Sequence, residues 1–385
     1  MEVRILAIVI LFLNFVHSPL FAKQPEISGF TRIVAGKTHN SDDKLGRYDS
    51  DLAIKPDSVI GLQLDMPLSN KFSATAQVTG GLDDDHRYGL EWLYLSYQAS
   101  NAMKFKAGRL RTSFFSYSDV LDVGYAYHWI KPPTEVYASF FFTHFDGIAA
   151  SYDWLGEITS TKLELYYGQF EDKVDFDGDI FEPKVDNYTG AVLTHDIAQF
   201  KFQASYYQAD VGLNNDEIPQ LITSLNQLGQ FDAAQALTLE GPMKYYQLGA
   251  SYENLNYFVR AEWIKLDHDF KLISRTSSYY ASLGYLYDEY TFHLTYADRN
   301  DDISTSIPSL GLPNSSQFAP IHFAYNSIVN GVSTSDQSSI QLGVRWDFTF
   351  GMALKGELKH TRFDMTNGQQ SNNVNSIYAA FEWVF

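Results

Sequence analysis

The chain has 385 residues, with 28 Lys and Arg against 46 Asp and Glu (net charge −18), no cysteine, and 16% aromatic residues that include 26 Tyr and 28 Phe. The acidic balance excludes a nucleic-acid partner, which needs clustered Lys and Arg to neutralise phosphates, and the lack of cysteine excludes disulfides and thiolate metal sites. A soluble chain of this size gathers its apolar residues into blocks or helical stripes around a core, whereas here they are spread thinly along almost the whole length.

Residues 1–22 read as an export signal: Arg4 supplies the positive end, Ile5 to Phe15 is a nearly unbroken apolar run, and Leu20-Phe21-Ala22 offers a cleavage site. The mature chain is expected to begin near Lys23 and to form one domain over 23–385. No later stretch approaches the ~20 apolar residues of a membrane-spanning helix. That excludes an inner-membrane helical protein.

Beyond the leader, strict alternation of apolar and polar residues recurs in stretches of about ten residues, the span of a tilted transmembrane strand. In chain order, strands are predicted over 28–37, 57–67, 72–80, 89–98, 103–112, 145–154, 159–170 and 185–195. The series continues with 199–211, 243–252, 256–267, 275–287, 289–298, 337–348, 352–364 and 373–385, sixteen in all. In one of them, Ile340, Leu342, Val344, Trp346 and Phe348 share a face, and Gln341, Gly343, Arg345 and Asp347 share the other. A single such strand also suits a soluble sandwich. The connections decide between the two.

The connections alternate between very short (68–71, 99–102, 155–157, 253–254, 350–351) and long (38–56, 113–144, 212–242, 299–336). Short turns on one rim and long loops on the other are the asymmetry of an outer-membrane barrel, and an even strand number puts both termini at the short-turn, periplasmic rim. The fold class is therefore all-β: a transmembrane antiparallel β-barrel of sixteen strands. Unpaired strand edges in hydrocarbon cost several kcal/mol per backbone group, so the last strand must pair with the first. The ending suits this, with Ile377, Ala379, Phe381, Trp383 and Phe385 on one face and Ser376, Tyr378, Ala380, Glu382 and Val384 on the other. Its Phe381, Trp383 and terminal Phe385 resemble the assembly signal of outer-membrane barrels. Tyr252, Tyr257, Trp263, Tyr285, Tyr287 and Trp383, near strand ends, suit girdles at headgroup level.

Three loop segments depart from the strand pattern. In 212–242, Ile218, Leu221, Ile222, Leu225 and Leu228 follow helical spacing after Asn215-Asp216-Glu217, which predicts an amphipathic helix packed at the barrel mouth. Loop 171–184 contains an Asp-x-Asp-Gly-Asp run but lacks the distant Glu of a calcium loop, so no metal site is assigned. It reads as a solvated acidic loop, bridged to lipopolysaccharide by divalent ions. Asp83-Asp84-Asp85 reads the same way. The ten His are scattered singly, with no nucleophile and base at a local signature spacing, so no enzyme and no cofactor is expected.

The run Ala107-Gly108-Arg109-Leu110-Arg111, followed by Phe114 to Tyr127 and Pro132-Pro133-Thr134-Glu135-Val136-Tyr137, resembles Gram-negative porins of the general-diffusion type. In that family the long loop after the fifth strand folds into the barrel and narrows the pore, and here the fifth predicted strand is followed by 113–144. The resemblance implies Asp119, Asp122 and Glu135 as acidic constriction residues on that loop, facing basic wall residues. By parity the wall candidates are Arg32, Arg260, Arg345, Lys355 and Lys359, with Arg109 and Arg111 as additions. The last two share parity with Phe105 and Ala107, opposite to Lys104 and Lys106, so the strand bulges near Gly108 or some charges lie at a rim. Facing rows of opposite charge order water in a narrow gap and favour polar solutes. The resemblance further implies passive diffusion of small polar solutes and ions, a homotrimer, a surround of outer-membrane lipid and lipopolysaccharide, and delivery by the barrel-assembly machinery. A substrate-selective channel for phosphate, sugars or carboxylates is the other reading. Its mark would be a ladder of basic or aromatic residues, and Lys355, Glu357 and Lys359 are mixed in sign. The net charge leans towards cation preference.

Overall fold

The computed structural model describes residues 24–82, 89–138, 142–176, 179–214, 218–303, 307–331, 335–365 and 372–385. The predicted leader and the Asp83 to Asp85 run lie outside them. The strands are β1 (Glu26–Thr38), β2 (Val59–Pro67), β3 (Phe72–Gly81), β4 (Gly89–Gln98), β5 (Met103–Arg111), β6 (His144–Leu155), β7 (Thr159–Glu171), β8 (Val174–Phe176) and β9 (Asp179–Ile197). The remainder are β10 (Phe200–Asn214), β11 (Glu240–Glu253), β12 (Tyr257–His268), β13 (Arg275–Tyr287), β14 (Tyr290–Asp302), β15 (Ser335–Thr349), β16 (Met352–Met365) and β17 (Asn372–Val384). The short β8 pairs with β9 at the tip of a loop hairpin. The other sixteen form one antiparallel ring, which closes where β1 meets β17, with Phe30 opposite Val384 and Thr38 opposite Ser376.

All sixteen predicted barrel strands are present. Several run past their predicted ends, as β9 does from 179 rather than 185, because pairing continues beyond the apolar belt that sequence alternation reports. The alternation has a direct physical expression on β15. Leu342 lies opposite Leu294 on β14 and Leu358 on β16, and all three side chains are exposed on the outside. Next to it, Gln341 lies between Thr295 and Lys359, and all three are buried on the inside. The outer surface continues this apolar belt through Ile60, Leu62, Leu93, Leu95, Ile148, Leu165, Leu248 and Leu283. A soluble protein does not leave a continuous apolar belt of this kind in water, whereas hydrocarbon solvates it at no cost. This is the point on which a membrane barrel and a soluble sandwich part.

Connections 68–71, 99–102, 156–158, 198–199, 254–256, 288–289 and 350–351 occupy one rim. Three of these two-residue turns hold a left-handed residue, Ala198 (φ 51°), Asp288 (φ 49°) and Gly351 (φ 74°), as tight hairpins demand. Outward aromatics crowd the same rim: Phe72 stacks on Tyr97 at 4.8 Å, Tyr290 on Trp346 at 6.0 Å, and Trp383 meets Phe385 at 4.6 Å. Tyr252, Tyr257, Tyr285 and Tyr287 join them, while Trp263 lies further along β12 and donates to Ser277. A second group, with Tyr206 against Tyr246 and Tyr279 against Tyr296, lies towards the loop rim. Amphipathic rings settle at these two levels because one end is apolar and the other wet.

The loop rim carries the short helices. Loop 112–143 holds two 3-10 turns, Ser118–Val120 and Gly124–Ala126, and α1 (Thr134–Tyr137). The helix expected in 212–242 is α2 (Ile218–Gln227), followed by α3 (Phe231–Ala236). A helix not read from sequence, α4 (Ala319–Gly331), completes a small apolar cluster in which Leu225, Ala233, Ala234, Leu237 and Tyr325 are buried. Leu272, from the loop after β12, packs on it. Three loops thus share one core at the mouth.

Candidate functional site

Loop 112–143 leaves β5 and folds inward across the lumen, and the wall from β9 to β17 and β1 supplies what an irregular segment cannot supply for itself. At its start Phe114 packs edge-on to Tyr207 at 4.9 Å and Tyr245 at 5.2 Å, and the Tyr245 hydroxyl donates to the Phe114 carbonyl at 3.1 Å. Glu262 on β12 accepts from the Ser116 amide, the Tyr137 hydroxyl and Gln247, each at 2.9 Å. In the middle, Lys355 on β16 donates to the carbonyls of Gly124 (2.7 Å), Tyr127 (2.8 Å) and Trp129 (2.6 Å). Arg345 on β15 donates to the carbonyls of Tyr125 and Tyr127, and Glu357 accepts from the Ile130 amide at 2.6 Å. An ammonium has three donors and no acceptor, so one buried lysine satisfies the Tyr127 and Trp129 carbonyls, which no helix or sheet pairs, and adds a second bond to the Gly124 carbonyl, which already accepts from the Tyr127 amide at 3.3 Å.

Side chains of the loop are fixed in the same way. The Trp129 indole donates to Thr295 at 2.8 Å, Arg32 donates to the Tyr127 hydroxyl at 2.9 Å, and His128 lies within hydrogen-bond distance of Ser282 and Arg260. Gly124 is pressed so closely on the Glu382 carboxylate that a Cβ there would overlap it. Burial first, and then the charges of His293, Arg260, Lys355 and Arg345, push the His128 pKa well below its usual value, so the ring is neutral. At Glu135 burial opposes ionisation, but Lys359 and hydrogen bonds from Ser339 and Gln337 outweigh it and hold the carboxyl below its usual range.

The expected opposition of loop acids to wall bases across an open gap is therefore corrected in its geometry. Arg32, Arg260, Arg345, Lys355 and Lys359 face the lumen as parity requires, but the loop lies on them and they hold it down. Glu135 belongs to the same anchorage: its side chain is 0% exposed, bonded to Gln337 at 2.7 Å and 3.3 Å from Lys359. A parity argument assigns a side chain to a face of the sheet. It does not reveal what has folded against that face.

On the near side, Arg109 and Arg111 part company. Gly108 sits at φ 134°, where a Cβ would strike the Leu93 carbonyl, and past this irregular point two adjacent residues, Leu110 and Arg111, are both buried. Arg109 does not join the constriction; it pairs with Asp146 at 3.2 Å and lies 3.9 Å from Asp172, a loop residue after β7. Arg111 turns inward to Asp122 at 2.6 Å. Asp119 reaches the space the loop leaves open.

That space is a cavity of about 200 Å³ against β4 to β7, the wall the loop does not cover. Trp92, Tyr94, Lys104, Lys106, Arg111 and Asp119 line it, with Lys162 and Glu164 paired to each other at 2.7 Å. The site selection made from sequence passed over Lys104 and Lys106. Their alternation with outward Phe105 was the signal that could have found them.

No family model and no curated protein matches the chain. Solved structures do. OmpF of Salmonella typhi in complex with daunomycin superposes with a TM-score of 0.60 at 10% identity, covering 95% of this chain and 100% of that one. The anion-selective porin of Comamonas acidovorans gives 0.57 at 12% identity, covering 94% and 99%. OmpT of Vibrio cholerae, in a trimer form, gives 0.53 at 13% identity, covering 94% and 99%. At such identities the likeness speaks for the fold. The chain has the sixteen-stranded barrel fold of outer-membrane porins.

Proposed function

We propose that the chain is an outer-membrane porin that forms an aqueous channel for passive diffusion of small polar solutes and ions. One observation carries the reading: an apolar belt encircles a polar lumen, and the inserted loop covers one wall of that lumen while the other stays open. No side chain reacts in this scheme. The loop narrows the passage, and the fixed charges of Asp119, Asp122, Arg111, Lys104 and Lys106 around the remaining gap order water there and favour polar over apolar solutes.

In this proposal the termini and short turns face the periplasm and the long loops face outward, among lipopolysaccharide. The barrel-assembly machinery reads Phe381, Trp383 and Phe385. The working form is a homotrimer, by analogy with the Vibrio OmpT trimer form. Planar-bilayer recordings test the function: a stable current proportional to salt concentration is expected, and a folded protein that carries no current overturns it. Crosslinking that yields only monomer overturns the trimer.

A second reading, a substrate-selective channel for phosphate, sugar or carboxylate, is favoured by one specific observation. Lys104 and Lys106 line the open cavity with no carboxylate partner within ion-pair distance among the described residues. Saturation of the current by one solute is its mark.

A further inference from the structure

The geometry points to the cavity against β4 to β7 as a binding subsite for a small carboxylate attached to a flat apolar body, a monoanion of the benzoate class. The inference rests on the channel reading and adds the solute that the channel retains in transit.

The first ground is charge. The lining contains four cations, Lys104, Lys106, Arg111 and Lys162, and two carboxylates, Asp119 and Glu164. Lys162 is matched by Glu164, and Arg111 by Asp122 behind it. What remains at the surface of the cavity is two lysines against one aspartate, a local positive excess inside a chain whose net charge is −18. Charge at the cavity wall outweighs distant loop charge there, because exposed charges more than about 8 Å away are screened at physiological salt.

The second ground is a pair of idle donors. Arg111 uses Nη1 on Asp122, while its Nη2 is buried with no partner among the described residues. The Trp92 indole Nε1 is likewise buried without a partner. Both residues line the cavity. Buried donors are otherwise almost always satisfied; each of these atoms has under 1 Å² of accessible surface just behind the cavity wall, so a bound acceptor reaches it by a small turn of the lining side chain. A carboxylate is the smallest solute group with acceptor capacity for several donors and the charge to suit the lysines.

The third ground is shape. Trp92, Tyr94 and Tyr166 share the lining, and the Lys106 ammonium lies 5.0 Å over the Tyr94 ring. Rings of this kind give a flat apolar body a stacking surface next to the cations. A cavity of about 200 Å³, open to the lumen, has room for one ring with its carboxylate. Sugars lack the charge the lysines call for, and an organic cation meets their repulsion.

The test is titration calorimetry of the folded, detergent-solubilised full-length protein with sodium benzoate, run beside bilayer conductance of the same preparation. Saturable binding of benzoate is expected, about tenfold tighter than acetate, with no binding of benzylammonium. The double substitution Lys104→Gln, Lys106→Gln should weaken benzoate at least about tenfold, the loss of one to two kcal/mol of charge-assisted contact. Trp92→Leu, scored for folding by heat-modifiable gel mobility, should weaken benzoate while sparing acetate. If conductance is present but benzoate binds no better than acetate, or benzylammonium binds instead, the subsite is overturned and the channel stands. If benzoate binds but folded protein carries no current, the channel reading falls and the subsite remains.

Discussion

Lys355 is the residue on which the inserted loop most depends. Its three hydrogen bonds to loop carbonyls are charge-assisted, and it sits 3.5 Å from the buried Glu382. Bonds to charged groups contribute roughly 1.5–3 kcal/mol each, and the sheet ladders themselves do not involve this side chain. Lys355→Met is therefore expected to free the loop without unfolding the barrel. Amide exchange at 124–130 should accelerate by about a hundredfold or more, with heat-modifiable mobility retained. His128 adds a pH dependence. Its folded pKa lies well below the ordinary histidine value of 6.5, so the unfolded chain takes up the proton first. Its contribution to stability is complete above that value and is lost as pH falls below it. Melting temperature should therefore drop on going from about pH 7 to about pH 5, and the drop should shrink in His128→Gln. An equal drop in the variant would assign the effect elsewhere.

At the level of elements, the loops divide into two classes. Loop 112–143 is bound to the barrel wall along most of its course, whereas α2, α3 and α4 are bound chiefly to one another through Leu225, Leu237 and Tyr325. Burying a charge in that small core should undo it alone. Leu225→Asp is expected to lose about 2–5 kcal/mol of local stability and to expose 218–236 and 319–331 to protease, with the barrel intact by gel mobility. The closing strand shows a different dependence. Phe385 packs against Trp383 with the rings tilted, and its backbone exchanges bonds with Gly29 at 2.9 and 3.0 Å, so the seam between β1 and β17 is sealed at Phe385. Phe385→Ala keeps the backbone bonds, and its expected effect is on membrane assembly yield in cells rather than on the stability of refolded protein.

For the molecule as a whole, inside and outside follow opposite rules, and one strand can test both. Leu342 faces out and Gln341 faces in. Leu342→Arg at the middle of the apolar belt should cost about 2–4 kcal/mol in reversible unfolding from lipid. Gln341→Glu, opposite Lys359, should cost much less, and if the two cost the same the assignment of faces is wrong. The same inversion governs charge. The −18 of the whole chain suggests cation preference, while the open cavity carries a positive excess. A reversal potential in a KCl gradient is expected to take the sign of the cavity, not of the chain.

The sequence by itself determined the sixteen strands, their faces, the alternation of turns and loops, and the place of the long loop after the fifth strand. All of these are local periodicities, and the membrane enforces them because each strand must meet lipid on one side and water on the other. It also placed Arg345, Lys355 and Lys359 on the lumen side. Only the tertiary structure decided what those side chains touch. Whether a lumen-facing lysine lines a passage or holds down a loop depends on partners more than two hundred residues away, as between Lys355 and Gly124, and no strand period encodes that pairing. The divergence of Arg109 from Arg111 at Gly108, the cap helix α4 and the cavity beside Lys104 and Lys106 are of the same kind. Each is set by where one segment comes to rest on another.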